Sequence, residues 1–417
     1  MKMRILTVAA AYLLLVVACA AQNIHPDPSF EATGEVGTAR TGERALHVSV
    51  DAQTHWKAVG GAIEVEPFAR YRVTEWVNAT GTVLAPYCCQ WNSYEWAFTT
   101  APTVKDTGGW VQSEVTFVSP TDEMVVHPLA VLDAGNVDAW VDDIVIEKIA
   151  EPEQVIAEYE AAHTHSPDQQ QLLARWYVEH GQPARADALM AGASGLTRAD
   201  IATVLARATD RPRRRMPYLA EVVGAGGPTY HHGVETFRAL REGLTWREVM
   251  AAAARGLRAN PTSDRAAKAF AAVMLDDMDD WTGSGDGLMT VNEAERTLGI
   301  RARAVESIRA SLPEGSVARR EVSALMDRFS AMRTEIERRR QTLGACTVMV
   351  GGTAITGGSH VIVIPDGATA QEQFAARDLR FHLELITGDE LAIRREGCAA
   401  GRTPVYIGRC RATRATR

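Results

Sequence analysis

Apolar and polar residues alternate in the first third of the chain. Short runs of this kind, at 45–50, 71–77 and 111–117, are separated by clusters of Gly, Pro, Asp and Asn. A period of two is the pattern of half-buried strands, and many short strands joined by turns are typical of a sandwich of two sheets. The sequence therefore predicts an all-β domain over residues 22–150.

From residue 151 onwards the apolar positions recur with the period of a helix. Residues 151–345 are rich in Ala, Leu, Arg and Glu, and strand-like alternation disappears from them. Two stretches, 172–189 and 251–270, resemble tetratricopeptide helix pairs, but no period of about 34 residues repeats. This segment is therefore predicted to be an irregular all-α helical region.

The last segment, residues 346–417, has the pattern of strand, helix and strand. A β-branched run at 361–364 ends at Pro365, which cannot donate to a sheet ladder. Apolar residues then recur at helical spacing until Gly388, and a second strand is predicted at 405–408. The predicted fold is thus multidomain, with an all-β sandwich, an all-α helical region and a small, incomplete α/β domain.

The two ends of the first segment carry recognisable motifs. Asp27–Glu31 opens the segment, Val137–Ile146 closes it, and Gly109-Trp110 precedes a predicted strand. Together they resemble the jelly-roll carbohydrate-binding modules attached to xylanases and glucanases. The resemblance implies a jelly-roll sandwich that binds a polysaccharide or an oligosaccharide.

Residues 346–417 resemble the small α/β domain that precedes the catalytic barrel in alpha-glucuronidases, hexosaminidases and related bacterial glycoside hydrolases. In those families this accessory domain carries no catalytic carboxylates. Nine residues follow Gly408, whereas a catalytic barrel takes roughly 250. The resemblance therefore predicts the front part of a glycoside hydrolase without its catalytic barrel.

Catalytic groups cannot be identified from the sequence. Glycoside hydrolysis needs two carboxylates roughly 5–10 Å apart on rigid elements, and no such pair is apparent. The sequence also has no Gly-x-Ser-x-Gly motif. Whether the chain is an enzyme stays open, and no catalytic residue is predicted.

The N-terminal residues 1–21 have the pattern of an export signal. Lys2 and Arg4 precede an apolar run at 5–18, which is shorter than the roughly 20 residues that span a bilayer. The end of this run also resembles a bacterial lipobox, in which Cys19 is the lipidated residue; the alternative is ordinary cleavage just after it. The predicted location is extracellular, periplasmic or lipid-anchored at the bacterial cell envelope, with that anchor as the sole link to a membrane.

The charge balance narrows the class of partner. The chain has 417 residues and a formal net charge of −8. Proteins that bind nucleic acids present a basic field to the phosphates, so this balance argues against a nucleic-acid partner. Neutral and acidic polymers remain compatible with it.

Aromatic residues crowd into one ten-residue stretch of the predicted sandwich. The candidate carbohydrate-binding residues there are four rings and two amides: Tyr87, Trp91, Tyr94, Trp96, Gln90 and Asn92. Flat aromatic faces suit the apolar C–H face of a pyranose ring, while a few polar groups fix its orientation. The alternative is that some of these rings fill the sandwich core. Trp76 is expected in that core, and Trp56 fits either place.

In the module family that residues 22–150 resemble, a structural calcium is often held where the first and last strands meet. The resemblance carries this metal-binding role to the carbonyl of Ser29, to Glu31 and to Asp142. Calcium prefers oxygen ligands of these kinds. The alternative is that both carboxylates accept hydrogen bonds from turns without a metal.

These features give one leading functional hypothesis. It is an exported carbohydrate-active protein with a sugar-binding sandwich, a helical spacer and the accessory domain of a glycoside hydrolase, and it predicts an exposed aromatic cluster. The alternative is a cell-surface scaffold that binds protein partners through its helices, with the aromatics buried and an apolar groove exposed. A complete hydrolase with a site at a domain junction would need converging carboxylates, which the sequence does not reveal.

Overall fold

The structure is a computed structural model. It describes residues 23, 25, 27–51, 56–132, 136–229, 231–276, 278, 290–343, 348–350, 353–396, 398, 401–408 and 410. The predicted export signal, with Cys19, lies outside the described residues. Contacts divide the chain into two compact units, Met1–Val249 and Met250–Arg417.

The first part of the first unit consists of strands. They are β1 Glu35–Val36, β2 Arg44–Val50, β3 Trp56–Glu64, β4 Arg70–Thr80, β5 Thr82–Leu84, β6 Tyr87–Trp91, β7 Trp96–Thr100, β8 Thr103–Lys105, β9 Val111–Val118, β10 Glu123–Leu132 and β11 Val137–Ala150. One sheet has the order β1-β2-β11-β4-β9, and the other has the order β7-β6-β10-β5-β8 with β3 also paired to β10. The pairings in both sheets are antiparallel, so the predicted β-sandwich is observed.

Strand β4 shows how the sequence pattern produces the sandwich. Every second residue of this strand is buried, and Tyr71, Val73 and Val77 join a core that also contains Met124 of the opposite sheet. Burying one large apolar side chain stabilises the fold by about 1.5–3 kcal/mol. Trp76, expected in the core, is on the other face of β4, because successive side chains of a strand point to opposite faces.

Helices follow the sandwich. They are α1 Pro152–Ala161, α2 Pro167–Glu179, α3 Pro183–Gly192, α4 Gly195–Arg207, α5 Pro212–Gly224, α6 His231–Leu240, α7 Trp246–Ala259, α8 Asp264–Leu275, α9 Val291–Ser311 and α10 Val317–Leu343. Proline at the first helical position and Ser or Thr caps mark several starts, as in α2, where Ser166 and Gln169 form a capping box. The predicted helical region is therefore observed.

No helix in the described part of the chain is long and apolar enough to cross a bilayer.

The end of the second unit returns to strands. Its elements are β12 Val348–Val350, β13 Thr353–Ile355, β14 His360–Ile364, α11 Ala370–Thr387, β15 Ile393–Arg395 and β16 Thr403–Tyr406. Strand β14 lies between β15 and β16 and is parallel to both. Helix α11 ends at Gly388, whose φ of 74° is in the left-handed region that glycine adopts without strain. The helix packs Ala376 and Leu383 against Ile362, so the strand–helix–strand prediction matches these elements.

Candidate functional site

The candidate site lies on the outer face of the second sheet. Cys88 on β6 and Met124 and Val126 on β10 point into the sandwich core. Because side chains alternate between the two faces of a strand, their neighbours Tyr87 and His127 point outward. Strand β10 lies between β3 and β6, and β7 follows β6, so the outward residues of these four strands share one surface.

Trp91 and Trp96 form the most exposed aromatic pair on this surface. They are direct partners across the β6–β7 hairpin, with ring centroids 4.5 Å apart and ring planes at 36°. The residues are 41% and 47% exposed. Contiguous exposed apolar surface marks interaction sites in folded proteins, so this predicted pair is available to a ligand.

A second aromatic group lies on the same face. Trp56 on β3 is 48% exposed, and its ring centroid is 5.7 Å from that of Tyr87. The Tyr87 ring in turn stacks on His127 of β10 at 5.8 Å. Burial lowers the pKa of His127, and its Nδ1 is buried without a hydrogen-bond partner among the described residues, so the imidazole supports the Tyr87 ring from below.

The sequence left Trp56 undecided and did not single out His127. The missing information is the pairing of β10, which is irregular between the inward Val126 and Leu129 and leaves His127 in the outward position next to Val126. That pairing is with β3 and β6, and a local pattern does not specify it.

The side chain of Gln90, predicted to bind ligand, makes its hydrogen bonds within the protein. Its side-chain amide donates to the hydroxyl of Thr121 and to the carbonyl of Glu123, both at 2.8 Å. Its oxygen accepts a hydrogen bond from the backbone N–H of Trp91 at 3.1 Å. Since both amide protons are taken, Gln90 fixes the β6 backbone beside Trp91 rather than presenting donors to a sugar.

Asn92, also predicted to bind ligand, is buried at the tip of the β6–β7 hairpin. Its oxygen accepts from the backbone N–H groups of Tyr94 and Glu95, at 2.7 and 2.8 Å. Its amide donates to Gln171 of helix α2 at 3.0 Å. Asn92 therefore shapes the turn and joins it to the helices, and it has no face toward solvent.

Tyr94 is the clearest correction to the predicted site. The residue is 2% exposed, and its hydroxyl is hydrogen-bonded to that of Thr203 on α4. Its ring occupies a slot beside Gly227 and Gly233, where an added Cβ would be 2.8 and 3.1 Å from ring atoms. Only glycine leaves room for the ring at these two positions, so Tyr94 is an anchor in the helical region and not a stacking surface.

Hydrogen bonds from the helices also hold the backbone of the hairpin tip. The N–H of Ser93 donates to the buried Asp200 of α4 at 3.0 Å, and Asp200 also accepts from Arg175 of α2 at 2.9 Å. The carbonyl of Ser93 accepts from the Thr236 hydroxyl of α6 at 3.2 Å. Three helices thus clamp the tip that separates Trp91 from Trp96.

The residues that the resemblance assigns to calcium can be tested for fit, beginning with Asp142. This carboxylate is fully buried and accepts from the backbone N–H groups of Arg40, Thr41 and Asp143, at 2.8, 3.0 and 2.8 Å. Its oxygens are therefore already used in holding the loop before β2.

Glu31 has the same kind of role. Its Oε1 accepts from the N–H groups of Glu43 and Arg44 at 3.0 and 3.3 Å. The predicted ligand at Ser29 is its carbonyl oxygen, and the hydroxyl of the same residue donates to Asp143 at 3.3 Å. Calcium takes about six to eight oxygen ligands. In the part of the chain that the structure describes, no three His, Cys, Asp or Glu side chains are grouped to hold a metal. The geometry fits the hydrogen-bonding alternative, and we derive no role for calcium.

We expect Asp142→Ala to lower the free energy of unfolding by about 3 kcal/mol, because three backbone N–H groups lose their acceptor. We expect EDTA to leave the melting temperature of the parent unchanged. Thermal unfolding followed by circular dichroism measures both, with Glu43→Ala in the same loop as an exposed control. A lower melting temperature in EDTA that added calcium restores would contradict this assignment.

No protein-family model matches the chain, and no curated protein matches it.

Several solved structures show a likeness to part of the chain. TmCBM61 in complex with β-1,4-galactotriose is 16% identical over 31% of this chain and 100% of that one, with a TM-score of 0.24. The xylan-binding CBM22-1 domain of Paenibacillus barcinonensis Xyn10C is 13% identical over 28% of this chain and 80% of that one, with a TM-score of 0.22. The N-terminal cellulose-binding domain of Cellulomonas fimi β-1,4-glucanase C is 20% identical over 27% of this chain and 83% of that one, with a TM-score of 0.21. All three are carbohydrate-binding modules.

Proposed function

We propose that the chain binds a polysaccharide or oligosaccharide along the outer face of β3, β10, β6 and β7. The observation that carries this proposal is the presence of two aromatic groups on one sheet face. One is the exposed pair Trp91 and Trp96, and in the other the exposed Trp56 packs beside the half-buried Tyr87 and His127. By the rise of a strand, Trp91 lies roughly 13 Å from Tyr87 along β6. The two groups are therefore far enough apart to contact different sugar units of one chain.

The chemistry of this face suits a neutral sugar. The C–H face of a pyranose ring is apolar and flat, so it packs on the open faces of indole and phenol rings. The exposure of Trp91 and Trp96 also counts against the scaffold alternative, which required these rings to be buried.

Two finer parts of the proposal rest on the sequence. Export is supported by the basic and apolar pattern of residues 1–21, with Cys19 either lipidated or lost with the signal. An accessory role in a glycoside hydrolase is supported by the resemblance of residues 346–417. On this proposal the protein holds carbohydrate outside the cell and takes part in polysaccharide degradation.

The test is binding of the full chain to a panel of soluble polysaccharides and oligosaccharides, measured by affinity electrophoresis and calorimetry. We expect Trp91→Ala and Trp56→Ala each to weaken binding at least ten-fold, because truncating a central aromatic contact costs about 2 kcal/mol or more. Trp110→Ala, at a half-buried position before β9 in the other sheet, is the matched control and is expected to bind like the parent. If the folded parent binds none of the glycans, the proposal is wrong.

A further inference from the structure

The helical region contacts the Trp91–Trp96 pair as well as the hairpin tip. His232, in the first turn of α6, is exposed, and its ring centroid is 5.3 Å from that of Trp91, with the ring planes at 55°. Its ring nitrogens have no hydrogen-bond partner among the described residues. An imidazole whose nitrogens are not bonded by any described residue, beside an exposed indole, is a polar group next to an apolar platform, which is the combination that orients a sugar.

Contacts of neighbouring residues fix the helical turn that carries this imidazole. Gly233, the next residue of α6, packs against the Tyr94 ring, and Thr236 one turn later bonds the carbonyl of Ser93. The same contacts that anchor the hairpin tip therefore fix the first turn of α6 against the strand that carries Trp91. Movement of the first turn of α6 relative to the hairpin tip would require these buried contacts to break.

We propose that His232 is a ligand-contacting residue, whose imidazole hydrogen-bonds a hydroxyl of the sugar unit that packs on Trp91 and Trp96. The inference rests on the proposed carbohydrate binding and adds a helical residue to the site. The binding site is then composite, with stacking from the sandwich and a directional polar contact from the helices. Since hydroxyl orientation differs between hexoses, this contact selects among them, whereas stacking is tolerant.

The experiment uses the full chain and the oligosaccharide that binds best in the panel. Calorimetric titration compares His232→Ala, His232→Gln and His180→Ala. His180 is the matched control, because it is an exposed histidine that stacks on Trp176 at 3.7 Å near the end of α2. We expect His232→Ala to bind about five- to ten-fold more weakly, as for the loss of one hydrogen bond. We expect His232→Gln to recover most of the affinity and His180→Ala to match the parent.

The outcomes separate the two proposals. If Trp91→Ala loses binding while His232→Ala binds like the parent, the sandwich binds sugar alone and the composite site is overturned. An equal loss in His180→Ala would also overturn it, because the effect would then not be specific to His232. If the folded parent binds no glycan, the proposed function fails and the inference fails with it.

Discussion

Replacing Tyr94 with alanine is expected to lower the free energy of unfolding by about 3–5 kcal/mol. The ring is almost completely buried in its slot beside Gly227 and Gly233, and neither glycine has a side chain that could fill the space left behind. Urea denaturation followed by tryptophan fluorescence measures the loss. Eight of the nine tryptophans lie at or before Trp246, so the signal reports chiefly on the first compact unit.

The same substitution is expected to weaken sugar binding about ten-fold, although Tyr94 has no face toward a ligand. Without the anchor, the hairpin tip can move, and the Trp91–Trp96 pair on either side of it moves too. Tyr94→Phe is the control, because it keeps the ring and loses only the hydrogen bond to Thr203, at about 1 kcal/mol. Burial raises the pKa of Tyr94, so the parent hydroxyl is protonated at any pH used. Parent-like sugar affinity in folded Tyr94→Ala would show that the helices do not position the pair.

The local part of the site was predictable from sequence, and the long-range part was not. Trp91 and Trp96 were recognised because four rings within ten residues stand out against the strand pattern. The fate of Asn92 and Tyr94 depends on partners 79 and 109 residues further along the chain. Nothing in the hairpin itself shows that Gln171 or Thr203 will cover it, so an aromatic anchor and an aromatic platform look the same in sequence.

The secondary structure was predictable where the spacing of apolar residues along the chain determines it. Alternation in β4 predicted a strand with one buried face, and in the structure residue 75 lies on that face with Tyr71, Val73 and Val77. The expectation that Trp76 fills the core was based on its hydrophobicity, but the register of the strand places its side chain on the outer face. There the guanidinium carbon of Arg40 lies 3.9 Å from the centroid of the Trp76 ring. The consequence is that a carboxyl group lies inside the sandwich.

Glu75 is fully buried, and neither of its carboxylate oxygens has a hydrogen-bond partner among the described residues. In the part of the chain that the structure describes, no charged side chain offsets this burial. Ser113, its cross-strand neighbour, donates its hydroxyl to the carbonyl of Ala85, and burial raises the pKa of the Cys88 thiol, which stays neutral. Burial accordingly raises the pKa of Glu75 well above its usual range, and the group is protonated in the folded protein at mildly acidic pH.

The burial of Glu75 makes a contribution to the stability of the sandwich that falls as the pH rises. In the unfolded chain the carboxyl ionises near its usual pKa of about 4.3, whereas the folded protein keeps the proton. The stability that the protonated carboxyl contributes is therefore fully present below the pKa of Glu75 in the unfolded chain. Between that pKa and the higher pKa in the folded protein, it is lost at about 1.4 kcal/mol for each pH unit. We expect Glu75→Gln, which cannot ionise, to be about as stable as the parent near pH 4 and increasingly more stable above it.

Urea denaturation of both proteins from pH 4 to pH 8 measures this difference, and subtracting one curve from the other removes the contributions of all other titrating groups. Glu114→Gln is the matched control, because Glu114 is an exposed glutamate on β9, next to β4 in the same sheet. Its curve is expected to follow the parent. If the Glu75→Gln and parent curves stay parallel across this range, Glu75 is ionised in the folded protein and a cation must reach it. If they diverge as expected, the protonated carboxyl of Glu75 contributes stability to the sandwich that is lost as the pH rises.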